Sequence, residues 1–288
     1  MDFGKVLTAM VTPFDENLEL DLEKTTELVE YLIENGSDGL VVGGTTGESP
    51  TLSNDEKLTL FEHVAKVVNG RATVLAGTGS NNTKGTVELT KEASKTGVDG
   101  IMLVTPYYNK PSQEGLYQHF KQIAESTELP IMLYNIPGRS VVDLSTETTV
   151  RLSKIPNIVS TKDATGDLDR MSEIIEQTPS DFSLYSGDDG LTLPSLAVGS
   201  AGIVSVASHV IGNEMQEMVQ AFESGDVQKA GKLHRTLLPK MDACFMAPSP
   251  APVKAALNKK GINVGSVRLP LIPLNEEQEK QLFEELGL

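Results

Sequence analysis

At 288 residues, with 39% apolar and 22% charged residues, the chain has the size of one large α/β barrel or of two smaller domains, and its composition excludes a disordered or fibrous protein. A net charge of −16 opposes nucleic acid and anionic membrane as partners, because every phosphate contact needs a cation that this surface mostly lacks. Residues 1–10 hold no basic leader followed by an apolar run, and no stretch approaches the roughly 18 apolar residues that span a bilayer, so a cytoplasmic location is expected. The single cysteine, Cys244, cannot form a disulfide within the chain and reads as a small packed thiol.

In chain order, residues 6–11 form a first apolar run. Leu22, Val29, Leu32 and Ile33 then recur at helical spacing and lead into Gly36-Ser-Asp-Gly39-Leu-Val-Val. The first glycine of that junction suits the left-handed position that ends a helix, and the run after the second suits a strand covered on both faces. The same junction returns at Gly97-Val-Asp-Gly100 and Gly199-Ser-Ala-Gly202. Ser53-Asn-Asp-Glu56 is a capping box that opens a helix through Leu58, Phe61, Ala65 and Val68. With further apolar runs at 72–76, 131–134, 158–160 and 183–185, strands are predicted near 6, 40, 73, 101, 131, 158, 183 and 203. Strand–helix alternation through eight units predicts a closed (β/α)₈ TIM barrel over 1–225. A helical appendage is expected over 226–288, with helices at 227–238, after the breaker Pro248-Ser-Pro-Ala-Pro252, and at 276–286.

In such a barrel the chemistry sits in the loops after the strands. Here these read Gly43-Gly-Thr-Thr-Gly-Glu48, Thr105-Pro-Tyr-Tyr-Asn109, Tyr134-Asn-Ile-Pro-Gly-Arg139, Lys162-Asp-Ala-Thr-Gly166 and Ser186-Gly-Asp-Asp189. Lys162 ends a strand whose alternate residues should face the barrel. As an amine nucleophile it must be neutral, which from an ordinary pKa of about 10.4 requires a depression of about 3, roughly 4 kcal/mol, within reach of desolvation. Taken alone, a lysine at a strand end is a solvated charge or an ion-pair partner.

The Gly-Thr-Thr-Gly loop offers N–H groups and hydroxyls to a small carboxylate, or is only a tight turn. Tyr107, Tyr108 and Tyr134 either pack or relay protons, and Arg139 either grips a carboxylate or makes a surface ion pair. Asp188 and Asp189 read first as turn and capping residues. His63, His119, His209 and His234 stand far apart, so no metal site and no cofactor are expected, while Lys84 and Lys110 read as solvated charges.

In their order and spacing, these five loops resemble the pyruvate-dependent class I aldolase family that includes N-acetylneuraminate lyase, over essentially the whole chain. The likeness is to the branch that condenses pyruvate with L-aspartate 4-semialdehyde. It implies that Lys162 forms a Schiff base with pyruvate, that Tyr134 is the general acid and base, and that Thr45 and Tyr108 complete a proton relay. Thr46, Gly187 and the backbone of Val204 would hold pyruvate, and Arg139 the carboxylate of the aldehyde. The alternative is a relative of the same chemistry acting on a sugar acid such as N-acetylneuraminate or 2-keto-3-deoxygluconate; a barrel that binds a small acid without turning it over is a third reading.

Family members are commonly homotetramers built from two tight dimers, or homodimers, in which the tyrosine matching Tyr108 reaches into the partner's site. In members inhibited by lysine, a histidine and a glutamate stand where this chain has Lys57 and Gly85, so weak or absent lysine feedback is expected.

Overall fold

The computed structural model describes residues 2–288. Strands and helices alternate as β1 (Val6–Ala9), α1 (Leu22–Glu34), β2 (Gly39–Val42), α2 (Asn54–Val68), β3 (Thr73–Gly77), α3 (Thr83–Ala93), β4 (Gly100–Val104), α4 (Gln113–Ala124) and β5 (Ile131–Asn135). Two short helices, α5 (Pro137–Ser140) and α6 (Thr146–Leu152), lead to β6 (Ile158–Asp163), α7 (Leu168–Gln177), β7 (Ser183–Ser186), α8 (Thr192–Ala197), β8 (Gly202–Ser205) and α9 (Ser208–Glu223). Each strand pairs with the next and β8 returns to β1 in parallel, closing the eight-stranded barrel expected from the sequence.

Local chemistry explains the punctuation. Asp21, Ser53, Asn82, Ser112, Ser145 and Asp167 each accept an N–H of a first helical turn, and Ser53 with Glu56 forms the full capping box. Gly36, Gly97 and Gly199, at φ of 89°, 87° and 107°, supply the left-handed turns after α1, α3 and α8.

The strands bury both faces. Outward side chains such as Leu40, Val74, Ile101, Leu133 and Ile203 join the helices in one apolar shell. Inward ones, Leu7, Val41, Leu75, Met102, Met132, Tyr134, Tyr185 and Val204, fill the barrel with Phe3 below them. Simple alternation along β6 would put Ile158 and Lys162 on one face. Instead Ile158 packs in the outer shell and Val159 against the interior, and the β5–β6 register slips at Ile131/Met132. That irregularity sets Lys162, rather than Thr161, opposite Tyr134.

Three helices follow: α10 (Val227–Ala243), α11 (Ala251–Lys259) and α12 (Glu276–Leu286). The expected stop at Leu238, before Pro239, does not occur; α10 runs through the proline because Leu237, Met241 and Ala243 are buried on both sides of it. Similarly, α11 begins inside the expected breaker, with Pro252 in its first turn, where the missing N–H is harmless. Their buried side chains, Leu237, Met241, Val253, Leu257 and Leu282, share the outer core with Met215 and Met218 of α9. Among the described residues no helix is long and apolar enough to cross a membrane.

Candidate active site

At the C-terminal mouth, Tyr134, Lys162 and Tyr185 stand side by side on β5, β6 and β7. Tyr185 hydrogen-bonds away from the mouth, its hydroxyl accepting the Phe3 N–H at 3.0 Å. Tyr134 instead lines a cavity of about 230 Å³ together with Gly43, Gly44, Thr45, Tyr107 and Arg139. Lys162 lies behind that wall, with Nζ 4.0 Å from the centre of the Tyr134 ring.

Burial controls the electrostatics. It lowers the Lys162 amine to about 7; the Asp189 carboxylate opposes this and the Arg139 guanidinium reinforces it. Near neutral pH a large share of Nζ is therefore the unprotonated amine, the form able to act as a nucleophile. Burial also pushes the Tyr134 phenol up to about 12, against the charge of Arg139 and a hydrogen bond with Thr45. Tyr134 is thus a neutral proton donor at pH 7, already coupled to Thr45.

Gly187 is a close-approach position: a Cβ there would stand 2.8 Å from Lys162 Cε and 2.8 Å from Ala164 Cβ. Gly187→Ala is expected to displace the lysine and lower kcat/KM roughly 10–100-fold with the melting temperature little changed, since a misplacement near 1 Å can cost that much. Parent-like steady-state kinetics for this variant would contradict the crowding.

Asp188 caps the short turn after β7 by accepting the Gly190 N–H, as read from the sequence. Asp189 does more. It is buried and accepts from the Ser205 hydroxyl and from the N–H groups of Val206 and Ala207, each at 3.1 Å, which ties the β7 loop to the end of β8. As the charge opposing Lys162 deprotonation, it is a site group whose electrostatic part the turn reading missed.

Thr46 is buried beside Thr45, Val204 is buried on β8, and Arg139 sits on α5, its backbone fixed by a bond to Ile136 O at 3.0 Å. Tyr108 is not with them in this chain. It is 87% exposed and held at φ 72°, an unfavourable conformation for an aromatic residue. Asn81 and Asn109 fix that loop through bonds to Tyr107 O at 3.2 Å and from Asn109 Nδ2 to Asn81 O at 2.9 Å.

Sequence reasoning also missed an outer clamp behind the two key strands. Arg170 of α7 lies 3.7 Å from Asp163 and 2.8 Å from Asp143, which in turn accepts from Asn135 at 2.9 Å. Asn135 and Asp163 directly follow Tyr134 and Lys162, so the clamp holds both strand ends in register.

Three of the histidines have separate partners: His63 meets Thr26, His119 meets Thr83, and buried His209 bridges Val11 N–H and Val206 O. Among the described residues no group of three or more His, Cys, Asp or Glu is placed to hold a metal. Lys84 is exposed beside Glu88, and Lys110 is exposed.

Comparison with known proteins agrees with this geometry. Residues 2–287 match the model of the dihydrodipicolinate synthetase family. The chain is 64% identical to 4-hydroxy-tetrahydrodipicolinate synthase 1 of Halalkalibacterium halodurans, over 98% of this chain and 96% of that one. It is 58% identical to the 4-hydroxy-tetrahydrodipicolinate synthase of Bacillus subtilis, over 98% of each. Its structure superimposes on a crystal structure of dihydrodipicolinate synthase from Bacillus anthracis with a TM-score of 0.98 at 63% identity, covering 100% of this chain and 98% of that one. With its barrel, its buried lysine and nearly its whole length accounted for, the chain belongs to the dihydrodipicolinate synthetase family.

Proposed function

We propose that the chain acts as a 4-hydroxy-tetrahydrodipicolinate synthase, joining pyruvate to L-aspartate 4-semialdehyde through an imine on Lys162, in the diaminopimelate route of lysine biosynthesis. The observation that carries this reading is the buried amine, lowered to about 7 and packed 4.0 Å from the Tyr134 ring.

Neutral Nζ attacks the pyruvate ketone carbon. Tyr134 supplies the proton with which the hydroxyl leaves as water, and loss of a methyl proton converts the imine to an enamine. The enamine carbon then bonds to the aldehyde carbon, whose oxygen takes up a proton. Attack of the substrate amine on the imine carbon closes the ring and frees Lys162. These steps balance without a cofactor.

Thr45, already hydrogen-bonded to Tyr134, passes the proton onward. Thr46 and the backbone of Val204 hold pyruvate, and Gly187 keeps space for the lysine. Arg139, on the cavity wall, takes the carboxylate of the aldehyde substrate. The same arginine favours the synthase over a lyase for sugar acids, whose polyhydroxyl chains call for neutral hydrogen-bonding groups at that position.

Tyr108 completes the relay from a second copy of the chain, in a homodimer or a tetramer of two tight dimers. Its exposed ring, on a backbone held at positive φ, supports that placement. A coupled assay tests the reaction: pyruvate should be consumed with aspartate semialdehyde, whereas cleavage of N-acetylneuraminate or 2-keto-3-deoxygluconate in its place would overturn the proposal.

Feedback by lysine is expected to be weak or absent. Lys57 is half-buried and adds a cation, while Gly85 offers no carboxylate to a ligand ammonium. Inhibition titrations of the purified enzyme should show little effect at micromolar lysine; tight inhibition there would contradict the expectation.

A further inference from the structure

The loop carrying Thr45 and Thr46 ends at Glu48, a non-glycine residue at φ 56°. Its carboxylate is buried in a cage built by the C-terminal region, while the next two residues, Ser49 and Pro50, line the cavity. Lys254 of α11 places Nζ 2.7 Å from Oε1, and the Arg268 N–H donates to Oε2 at 2.8 Å. Both side chains of the Glu48–Lys254 pair are almost fully buried, at 0% and 2% exposure.

The surroundings leave little freedom. Lys254 Nζ also donates to Ser266 O at 2.7 Å and lies 4.2 Å over the Phe14 ring, and the Arg268 guanidinium lies 4.2 Å from the same ring. Arg268 reaches Thr51 O at 2.9 Å and Glu56 at 2.6 Å, so it grips the turn that follows Glu48. Thr12 fixes the residue before it by donating to Gly47 O at 2.7 Å. A buried ion pair is a poor source of net stability, since desolvating two charges offsets their attraction, but breaking one partner leaves an uncompensated charge. Such a pair is well suited to fixing one conformation of a loop.

We infer that Glu48 and Lys254 form a latch through which the C-terminal helices hold the Thr45–Thr46 loop in its working shape, both acting as positioning residues; this rests on the roles proposed above for Thr45 and Thr46. The latch gives the C-terminal region a part in turnover without a contact to substrate. It acts on proton relay and pyruvate binding together, because the two threonines are adjacent and Glu48 N–H bonds to Thr45 O at 3.1 Å.

The test uses the full chain. Lys254→Met keeps the aliphatic volume and strands the Glu48 carboxylate. It should lower kcat roughly 10–100-fold and raise the pyruvate concentration needed for half-maximal borohydride-trapped adduct on Lys162. The double variant Glu48→Gln/Lys254→Met, which removes both charges and the bond between them, should regain melting temperature but not kcat or the pyruvate requirement, because the latch is still missing.

Parent-like kcat and pyruvate requirement in Lys254→Met, even with a lower melting temperature, would overturn the latch, as would a double variant restored to parent-like values of both. Should Lys254→Met not fold, Glu48→Gln carries the same test: a changed pyruvate requirement supports the latch and an unchanged one overturns it. Absence of any adduct on Lys162 in the parent protein is a different result, removing the catalytic reading and the latch with it.

Discussion

Replacing Lys162 by alanine will lower kcat by roughly 10³-fold or more in the coupled assay, because the nucleophile that forms the imine is gone. Among the described residues the other deeply buried lysine, Lys254, is engaged by Glu48 and Ser266 and cannot take over. Burying an amine works against folding, so Lys162→Met, which fills the space without polar atoms, should melt no lower than the parent.

The sign of the pH dependence follows from the amine held near 7 against an ordinary value of 10.5. Between these two values the unfolded chain binds more protons than the folded one. Parent stability relative to Lys162→Met therefore rises with pH across that window and is lowest below pH 7, where the buried group is charged. Activity follows the same group: kcat/KM of the parent should fall about tenfold per pH unit well below 7, as the nucleophile becomes an ammonium. A flat acid limb would contradict the assignment, as would a Lys162→Ala protein turning over near the parent rate.

Tyr134→Phe is the second large effect expected, a loss of roughly 10²–10⁴-fold in kcat, the usual range for removing a positioned general acid. The phenyl ring still covers Nζ, so the burial that lowers Lys162 persists and the acid limb should remain near pH 7. Pyruvate should still become trapped on Lys162, more slowly. Separating these effects matters: a shifted acid limb with modestly reduced kcat would mean that Tyr134 serves only to bury the lysine. Near-parent turnover would remove it from the relay altogether.

Much of the barrel was legible because its cues are local. The Gly36, Gly97 and Gly199 turns and the Ser53 capping box announce helix ends, and short apolar runs mark strands covered on both faces. Once eight such units are recognised, the rule that chemistry gathers at the strand ends leads to Thr45, Tyr134 and Lys162, which the fold does bring together.

What escaped the sequence depends on pairing and packing between distant segments. The register slip that turns Lys162 inward exists only between β5 and β6, and period-two alternation reaches the right face for Lys162 while misplacing Ile158. The continuation of α10 past Pro239 is decided by burial of Leu237 and Met241, which outweighs the missing N–H. Asp189 carries a turn-like sequence context, yet its carboxylate is drawn inward by donors from Ser205, Val206 and Ala207. Glu48 and Lys254 meet across most of the chain, and neither neighbourhood carries a sign of the other.

Turnover depends on covalent capture of a ketone by one buried amine. Incubating the parent protein with pyruvate, reducing with borohydride and mapping the modified peptide by mass spectrometry tests this most directly. The predicted result is a single reduced pyruvyl adduct on Lys162, absent when pyruvate is omitted. An active preparation that yields no adduct, or one modified at a different lysine, would contradict it.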